Sequence, residues 1–153
     1  MDQILLDEII PTEEQIVVLY DQLKSRSFGI SHIDLPSFQV HKSFTEKNPY
    51  RKWFLVKLND LYIGNVYLQY DNSIGLNLNE EISAEKIRNI IKIIYNRYKP
   101  LKSIPSVRID KFYINVHSAN SSLQEKLSKI GLLEIQRTFL ISNIFDKNLK
   151  KSI

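Results

Sequence analysis

Two adjacent glutamates and two tyrosines are the residues of this sequence that could move protons. Glu80 and Glu81 follow an alternating, strand-like segment, and a carboxylate at a strand end could act as a general base. Tyr67 and Tyr113 fall within strand-like segments and could act as acids. A structural interpretation stands beside each: the glutamates would solvate a loop before a helix, and the tyrosines would be buried in a sheet.

The three histidines do not form a metal-binding pattern. No two of His32, His41 and His117 have a spacing such as i, i+4, and no His-x-Glu or Glu-x-x-His motif accompanies them. His117 lies near an expected switch in sheet direction, where it could be functional or a satisfied loop histidine. No serine-hydrolase elbow or Walker A loop occurs. The absence of cysteine excludes a cysteine nucleophile, disulfides and thiolate metal sites.

Length and charge set the class of protein. The chain has 153 residues, which predicts a single domain over residues 1–145 and a basic tail over 146–153. Without a secretory signal or a run of about 18 apolar residues, we expect a cytoplasmic protein that does not bind membranes. The net charge of +4 suits an anionic ligand such as a nucleotide cofactor. Nucleic acid is disfavoured, because the basic residues of 84–98 alternate with buried isoleucines and form no basic face.

The first half of the chain predicts a strand, two helices and a meander. Residues 3–10 predict a strand, and Thr12 is a candidate N-cap for a helix that runs to about residue 26. A short helix follows from Leu35 to about Thr45. Strands at 53–58, 61–70 and 74–79 then form an antiparallel meander, with Asn59-Asp60 as a two-residue hairpin turn.

The second half predicts alternating helices and strands. A helix begins after Ser83 and ends before Pro100, and a connector leads to a buried strand at 109–117. Asn120 or Ser121 caps a short helix, Gly131 follows as its C′ residue, and 132–141 is a last strand. The fold is therefore a mixed α+β (α/β) sheet, an antiparallel meander followed by parallel βαβ, with helices on both faces. Ligands of such sheets bind beyond the carboxyl ends of strands, at the switch point.

Three segments resemble the GCN5-related N-acetyltransferase (GNAT) family. The first is the hairpin Lys-Leu-Asn-Asp-Leu-Tyr-Ile-Gly-Asn-Val at 57–66, and the second is the strand, loop and helix from Ile74 to Ile94. The third spans 114–135, in which Asn120 and Gly131 have the family's eleven-residue separation. The resemblance covers roughly residues 3–142.

The resemblance implies that acetyl-CoA lies between two parallel strands that splay apart. Its pyrophosphate would bind backbone amides of a loop written Gln/Arg-x-x-Gly-x-Gly/Ala. In this sequence the loop is degenerate, because Ser83 occupies the first position and Lys86 and Arg88 replace the two glycines. These two side chains could supply charge to the anion, or they could solvate the helix start. The implied cofactor-binding residues are Leu76, Leu78, Ser83, Lys86, Ile87, Arg88 and Asn120.

The family's usual catalytic tyrosine, seven residues after the asparagine, is replaced by Leu127. We therefore take Glu80, Glu81 and Tyr113 as the catalytic candidates. The resemblance implies an acyl-CoA-dependent N-acyltransferase that moves acetyl to a primary amine of a small molecule or peptide. Its acceptor site is expected from residues 27–50 and the strand ends near Tyr67 and Tyr70. The alternative is a catalytically inactive GNAT-like binding or regulatory module, and a homodimer is left open.

Overall fold

A five-stranded sheet organises the protein, which is described by a computed structural model over residues 1–27 and 34–144. The strands are β1 (Ile4–Glu8), β2 (Lys52–Leu58), β3 (Leu61–Leu68), β4 (Ser73–Leu78) and β5 (Tyr113–Ile114). They lie in the order β1-β2-β3-β4-β5; the first four are antiparallel, and β5 is parallel to β4. The mixed sheet, with its change from antiparallel to parallel pairing, is the predicted one.

Four helices cover the two faces of this sheet. They are α1 (Glu13–Ser25), α2 (Phe38–Lys47), α3 (Ala84–Arg97) and α4 (Ser121–Lys129), and a short 3₁₀ turn occupies Ser142–Ile144. The side chains of β2 point alternately to the two faces of the sheet, so this strand contributes to a hydrophobic core on each face. Phe54 and Val56 pack with the α3 and α4 side, and Trp53 and Leu55 pack with the α1 side. None of the helices described is long and apolar enough to cross a membrane.

Side-chain caps fix where the helices begin. Thr12 and Gln15 form a capping box at α1, in which Thr12 Oγ1 accepts from the Gln15 amide at 3.2 Å. Ser83 Oγ accepts from the Lys86 amide at 3.2 Å and starts α3 directly after the loop from β4. Asn120 Oδ1 accepts from the Leu123 amide at 3.2 Å, so Asn120 rather than Ser121 is the N-cap of α4.

The predicted hairpin between β2 and β3 has the expected turn. Asn59 and Asp60 have φ angles of 49° and 68°. Both residues are in the left-handed region, which is the signature of a type I′ turn, and Asn and Asp adopt it more readily than most residues.

The predicted strand at 109–117 is wrong in extent, because only Tyr113 and Ile114 pair with β4. The residues before them are held by other partners. The Asn72 side chain bonds the backbone of Leu101 and Ile109, and Ile104 pairs with Arg108 in a tight loop. These contacts occupy the backbone of the connector, so the ladder begins only at Tyr113.

The predicted last strand at 132–141 is also wrong. This segment is not a strand, and its apolar side chains are exposed, with Leu133 at 85% and Phe139 at 83%. A strand needs a neighbouring edge to pair with, and β5 offers an edge of two residues. The expected domain boundary at 145 and the basic tail at 146–153 lie outside the described residues.

Candidate active site

The two parallel strands separate soon after they meet. β4 and β5 pair at Ser73 with Tyr113 and at Ile74 with Ile114. From there to Leu78, β4 stays paired with β3 on one edge and is free on the edge that faced β5. A cavity of about 600 Å³ lies along this free part of β4. Its walls include β4, the start of α4, the end of α1 and one face of α2. The volume falls in the range of ordinary small-molecule sites.

Four aromatic side chains line one end of the cavity, which we call the aromatic end: Phe44, Tyr50, Trp53 and Tyr67. The rings of Tyr50 and Tyr67 stack with centroids 4.0 Å apart and an interplanar angle of 16°. Trp53 meets Tyr50 edge-on at 5.0 Å and Phe44 at 5.9 Å. Such contacts hold aromatic rings in defined orientations.

A glycine makes room for the Tyr67 ring. Gly75 on β4 pairs with Tyr67 on β3, and a Cβ built on Gly75 would lie 2.0 Å from Cζ of Tyr67. The tyrosine ring therefore lies flat over the glycine backbone. No other residue at position 75 leaves this ring in place.

An amide network, formed by Gln22, Asn65 and Asn77, connects the aromatic end to the middle of the cavity. Trp53 Nε1 donates to Asn65 Oδ1 at 3.1 Å, and Asn65 Nδ2 donates to Gln22 Oε1 at 2.9 Å. Asn77 Nδ2 donates weakly to the same Asn65 oxygen at 3.4 Å. Because these groups lie in a partly buried site, the bonds fix the indole and the amides together.

Burial keeps both phenols of the aromatic end protonated. It raises the pKa of Tyr50 well above its ordinary value, with Tyr67 adding to the shift and the charge of Arg26 opposing it. Burial likewise raises the pKa of Tyr67, again against the charge of Arg26. Both phenols are therefore protonated at neutral pH. Because Tyr50 and Tyr67 also hydrogen-bond each other, one of the two O–H groups is used within the pair and one is left to donate to a ligand.

Several of the sequence-predicted site residues come together around the cavity. Leu76, Leu78, Ile87 and Asn120 line it, and so do Glu80 and Glu81, both exposed. Lys126 of α4 also lines it, and its Nζ donates to the Glu80 carbonyl across the opening. We call this part, with Glu80, Glu81 and Lys126, the loop end.

The predicted loop residues Ser83, Lys86 and Arg88 do not line the cavity. Ser83 caps α3, and Arg88 is exposed. The Lys86 ammonium pairs with the Asp2 carboxylate at 3.1 Å. The two side chains that replace the family's glycines are thus turned away from the cavity.

Tyr113 and Leu127 do not line the main cavity. Tyr113 lines a second cavity with Asp71 and Arg108, so the structure does not bring it together with Glu80 and Glu81. Burial and a hydrogen bond with Asp71 raise the pKa of Tyr113. Leu127 is buried in the core beneath α3 and α4 and does not line the main cavity.

His41 is a buried histidine that also lines the cavity. Its Nε2 lies 3.0 Å from the Ile16 carbonyl, which can only accept, so Nε2 carries the proton. Burial lowers the pKa of His41, and the bond to Ile16 opposes the shift. Sequence reasoning gave His41, Gln22, Arg26 and Asn65 no role. The one signal was a polar asparagine inside the apolar strand 61–68.

The lowered pKa of His41 predicts a pH dependence of stability. The unfolded chain takes up a proton at His41 as the pH falls below about 6.5, whereas the folded chain resists it. This contribution is therefore present above pH 6.5 and is lost as the pH falls through the folded pKa. We expect the melting temperature to fall between pH 7 and pH 5, and His41→Gln to fall less steeply. Equal slopes for both proteins would contradict the assignment.

Comparison with solved structures finds this fold in two acetyltransferase structures. A possible acetyltransferase from Clostridium difficile 630 has a TM-score of 0.53 and 11% identity, covering 92% of this chain and 95% of that chain. Mutant forms of the spermidine/spermine N-acetyltransferase SpeG from Vibrio cholerae have a TM-score of 0.57 and 15% identity, covering 90% and 86%. No family model and no curated protein matches the sequence. The likeness establishes the fold, a GNAT-like mixed sheet.

Proposed function

We propose that the protein is an N-acetyltransferase that moves acetyl from acetyl-CoA to a primary amine. The observation that carries the proposal is the parallel pair β4 and β5, which separates after two residue pairs and leaves a cavity along β4. The likeness in fold to two acetyltransferase structures supports it. The cavity reaches from the helix start at the loop end to the aromatic end, which gives two reactants one continuous space.

The residues present fit acetyl-CoA. At the start of α3 the Lys86 amide donates to Ser83 Oγ, which leaves the Ala84 and Glu85 amides for an anion such as a pyrophosphate, and the helix N-terminus attracts such an anion. Since Lys86 pairs with Asp2 and Arg88 is exposed, neither side chain fills the space beside the loop. Leu76 and Leu78 would contact the apolar part of the chain, and Lys126 lies where a phosphate could reach it.

Acetyl transfer requires that the amine loses one proton and that the departing thiolate gains one. The amine nitrogen forms the new C–N bond to the acetyl carbon as the C–S bond of acetyl-CoA breaks. Glu80 or Glu81, which lie at the loop end, would take, through bridging water, the proton that the amine loses. A phenol of the aromatic end, Tyr67 or Tyr50, would donate a proton to the departing thiolate, since Leu127 has none to give.

Blocking the cavity tests the proposal with a matched pair of variants. Ser122 and Ser128 are both exposed on α4, but only Ser122 lines the cavity. We expect Ser122→Trp to weaken acetyl-CoA binding at least about tenfold, because the indole would occupy the binding space, a loss of roughly 1.4 kcal/mol or more. Ser128→Trp should bind as the wild type does. Calorimetric titration measures both.

The proposal also predicts stabilisation of the wild type. Acetyl-CoA at a hundredfold its dissociation constant should raise the free energy of unfolding by about 2.7 kcal/mol. Equal weakening in both tryptophan variants would place the ligand elsewhere. Absence of binding by the wild type would instead favour the catalytically inactive binding or regulatory module.

A further inference from the structure

The cationic side chain of Arg26 lies between the two ends of the cavity. Arg26 lines it directly after the last residue of α1, and its Nη1 donates to Asn77 Oδ1 on β4 at 3.4 Å. Asn77 lies two residues beyond Gly75, over which the Tyr67 ring packs. The guanidinium is therefore beside the aromatic end, at the middle of the free part of β4.

The charge of Arg26 has no opposite charge paired with it in the described parts of the chain. The carboxylates that form ion pairs over residues 1–27 and 34–144 do so with Lys24, Lys52, Lys86 and Arg137. Among the described residues, the hydrogen-bond partner of the guanidinium is a neutral amide, Asn77 Oδ1, at the long distance of 3.4 Å. A guanidinium carries five N–H donors in a planar fork, so most of its donor capacity can serve a ligand.

Carboxylates are absent from the lining of the aromatic end. Among the lining residues of the described chain, the acidic ones are Glu80 and Glu81 at the loop end. Glu80 lies beyond Leu78, so the strand rise of about 3.3 Å per residue separates it from Gly75 by roughly 10 Å or more.

The tyrosines extend this donor-rich surface. The charge of Arg26 opposes the rise in pKa that burial produces at Tyr50 and at Tyr67, which puts the guanidinium within electrostatic reach of both phenols. The Asp71 carboxylate, which lines the second cavity and not this one, makes a smaller contribution that raises the pKa of Tyr67. Both phenols stay protonated, and since they hydrogen-bond each other, one O–H group is left to donate to a ligand. A ligand here meets a cation, one hydroxyl donor and aromatic faces, which suits an anion attached to an apolar body.

We infer that the acceptor is an amine that also carries a carboxylate, with α-amino acids of apolar or aromatic side chain as the class that fits. The inference rests on the proposed acetyl transfer. A carboxylate on Arg26 puts the α-amino group beside Asn77 on β4, and the side chain reaches the aromatic end. Polyamines, which carry several positive charges and no anion, meet the wrong charge at this position.

The single tryptophan of the sequence reports on this site directly. Trp53 lines the aromatic end, so its fluorescence measures binding there without acetyl-CoA. We expect phenylalanine to change the emission saturably. Phenylalanine amide and spermidine should bind at least about tenfold more weakly, because both lack the charge-assisted bonds to the guanidinium. Equal or tighter binding of either cation would overturn the inference, as would absence of any response to phenylalanine.

Two variants of α1 and its end separate a specific contact from a general charge effect. Arg26→Gln should abolish the preference of phenylalanine over its amide. Lys24→Gln removes the same charge two residues earlier, from a side chain that pairs with Asp21 and does not line the cavity, and should keep the preference. An unchanged preference in Arg26→Gln would overturn the inference.

The outcomes also separate this inference from the proposed function. Phenylalanine binding that depends on Arg26, without any binding of acetyl-CoA, would count against acetyl transfer. It would still support a carboxylate-binding site at Arg26. Acetylation of spermidine but not of phenylalanine, measured by CoA release, would support acetyl transfer and overturn the acceptor class.

Discussion

Gly75→Ala should disrupt the aromatic end and weaken binding of the acceptor while leaving acetyl-CoA binding within a fewfold of the wild type. The new methyl group would lie 2.0 Å from Cζ of Tyr67, so the ring must leave its place. The stack of Tyr67 on Tyr50, at 4.0 Å, is then lost. We expect a loss of about 1–3 kcal/mol in the free energy of unfolding, as for other overpacked sites, and at least about a tenfold loss of phenylalanine binding.

A double variant shows whether the clash with Tyr67 is the cause. Tyr67→Ala alone removes the ring and costs stability through the space it leaves. Because the added methyl then meets no ring, Gly75→Ala in the Tyr67→Ala background should cost far less than in the wild type. Chemical denaturation of the four proteins gives the coupling free energy. Additive effects would mean that the methyl group disturbs something other than Tyr67.

Asn72→Ala should strongly destabilise the protein, by about 1–3 kcal/mol for each backbone group that is left without its partner. The side chain is fully buried, and its Nδ2 donates to the carbonyls of Leu101 and Ile109 at 2.9 and 2.7 Å. Its Oδ1 accepts from the Leu101 amide at 2.7 Å. Alanine leaves these backbone groups without their partner, and the φ of 71° adds strain that asparagine tolerates better.

The consequence of this change reaches the candidate site. The Asn72 carbonyl accepts from the Tyr113 amide at 3.4 Å, at the point where β5 begins to pair with β4. Asn72→Gly also removes the side-chain hydrogen bonds, but glycine adopts a positive φ without strain. Compared with Asn72→Ala, it should therefore regain only the part of the stability that is lost to backbone strain. Asn79→Ala, at an exposed position, is the control. An Asn72→Ala protein with the denaturation midpoint of the wild type would contradict this account.

Local signals in the sequence were sufficient for much of the framework. Thr12, Ser83 and Asn120 stand before helical periodicity and cap the helices they precede. Asn59-Asp60 stands between two apolar runs and forms the turn. Each of these elements depends on residues close in sequence, which is why the sequence pattern predicts them.

The elements that depend on distant partners were mispredicted. The alternation of residues 132–141 is strand-like, but a strand also needs an edge, and the two-residue β5 supplies very little. The segment 109–112 is held by Asn72, which lies 37 residues before Ile109, and no local pattern indicates that contact. Hydrophobic periodicity indicates which face of a segment would be buried, but it does not indicate which strand the segment would pair with.

The candidate site divides in the same way. Leu76, Leu78, Ile87 and Asn120 line the cavity, because the order of strand, loop and helix sets their places. Their binding of a cofactor, which the family resemblance implies, stays a prediction. Arg26 and Asn77 come from elements 51 residues apart and meet only in the folded chain. An arginine at a helix end and an asparagine in a strand are surface residues in most proteins, so the residue types alone do not indicate a site.

A crystal structure of the protein grown with CoA tests the central claim most directly. The account predicts electron density for the pantetheine chain along β4 between Leu76 and Leu78, where β5 has ended, with the pyrophosphate at the first amides of α3. The thiol should point toward Asn77 and the aromatic end. Density for CoA at any other surface of the protein, with the cavity along β4 left to solvent at saturating ligand, would contradict it.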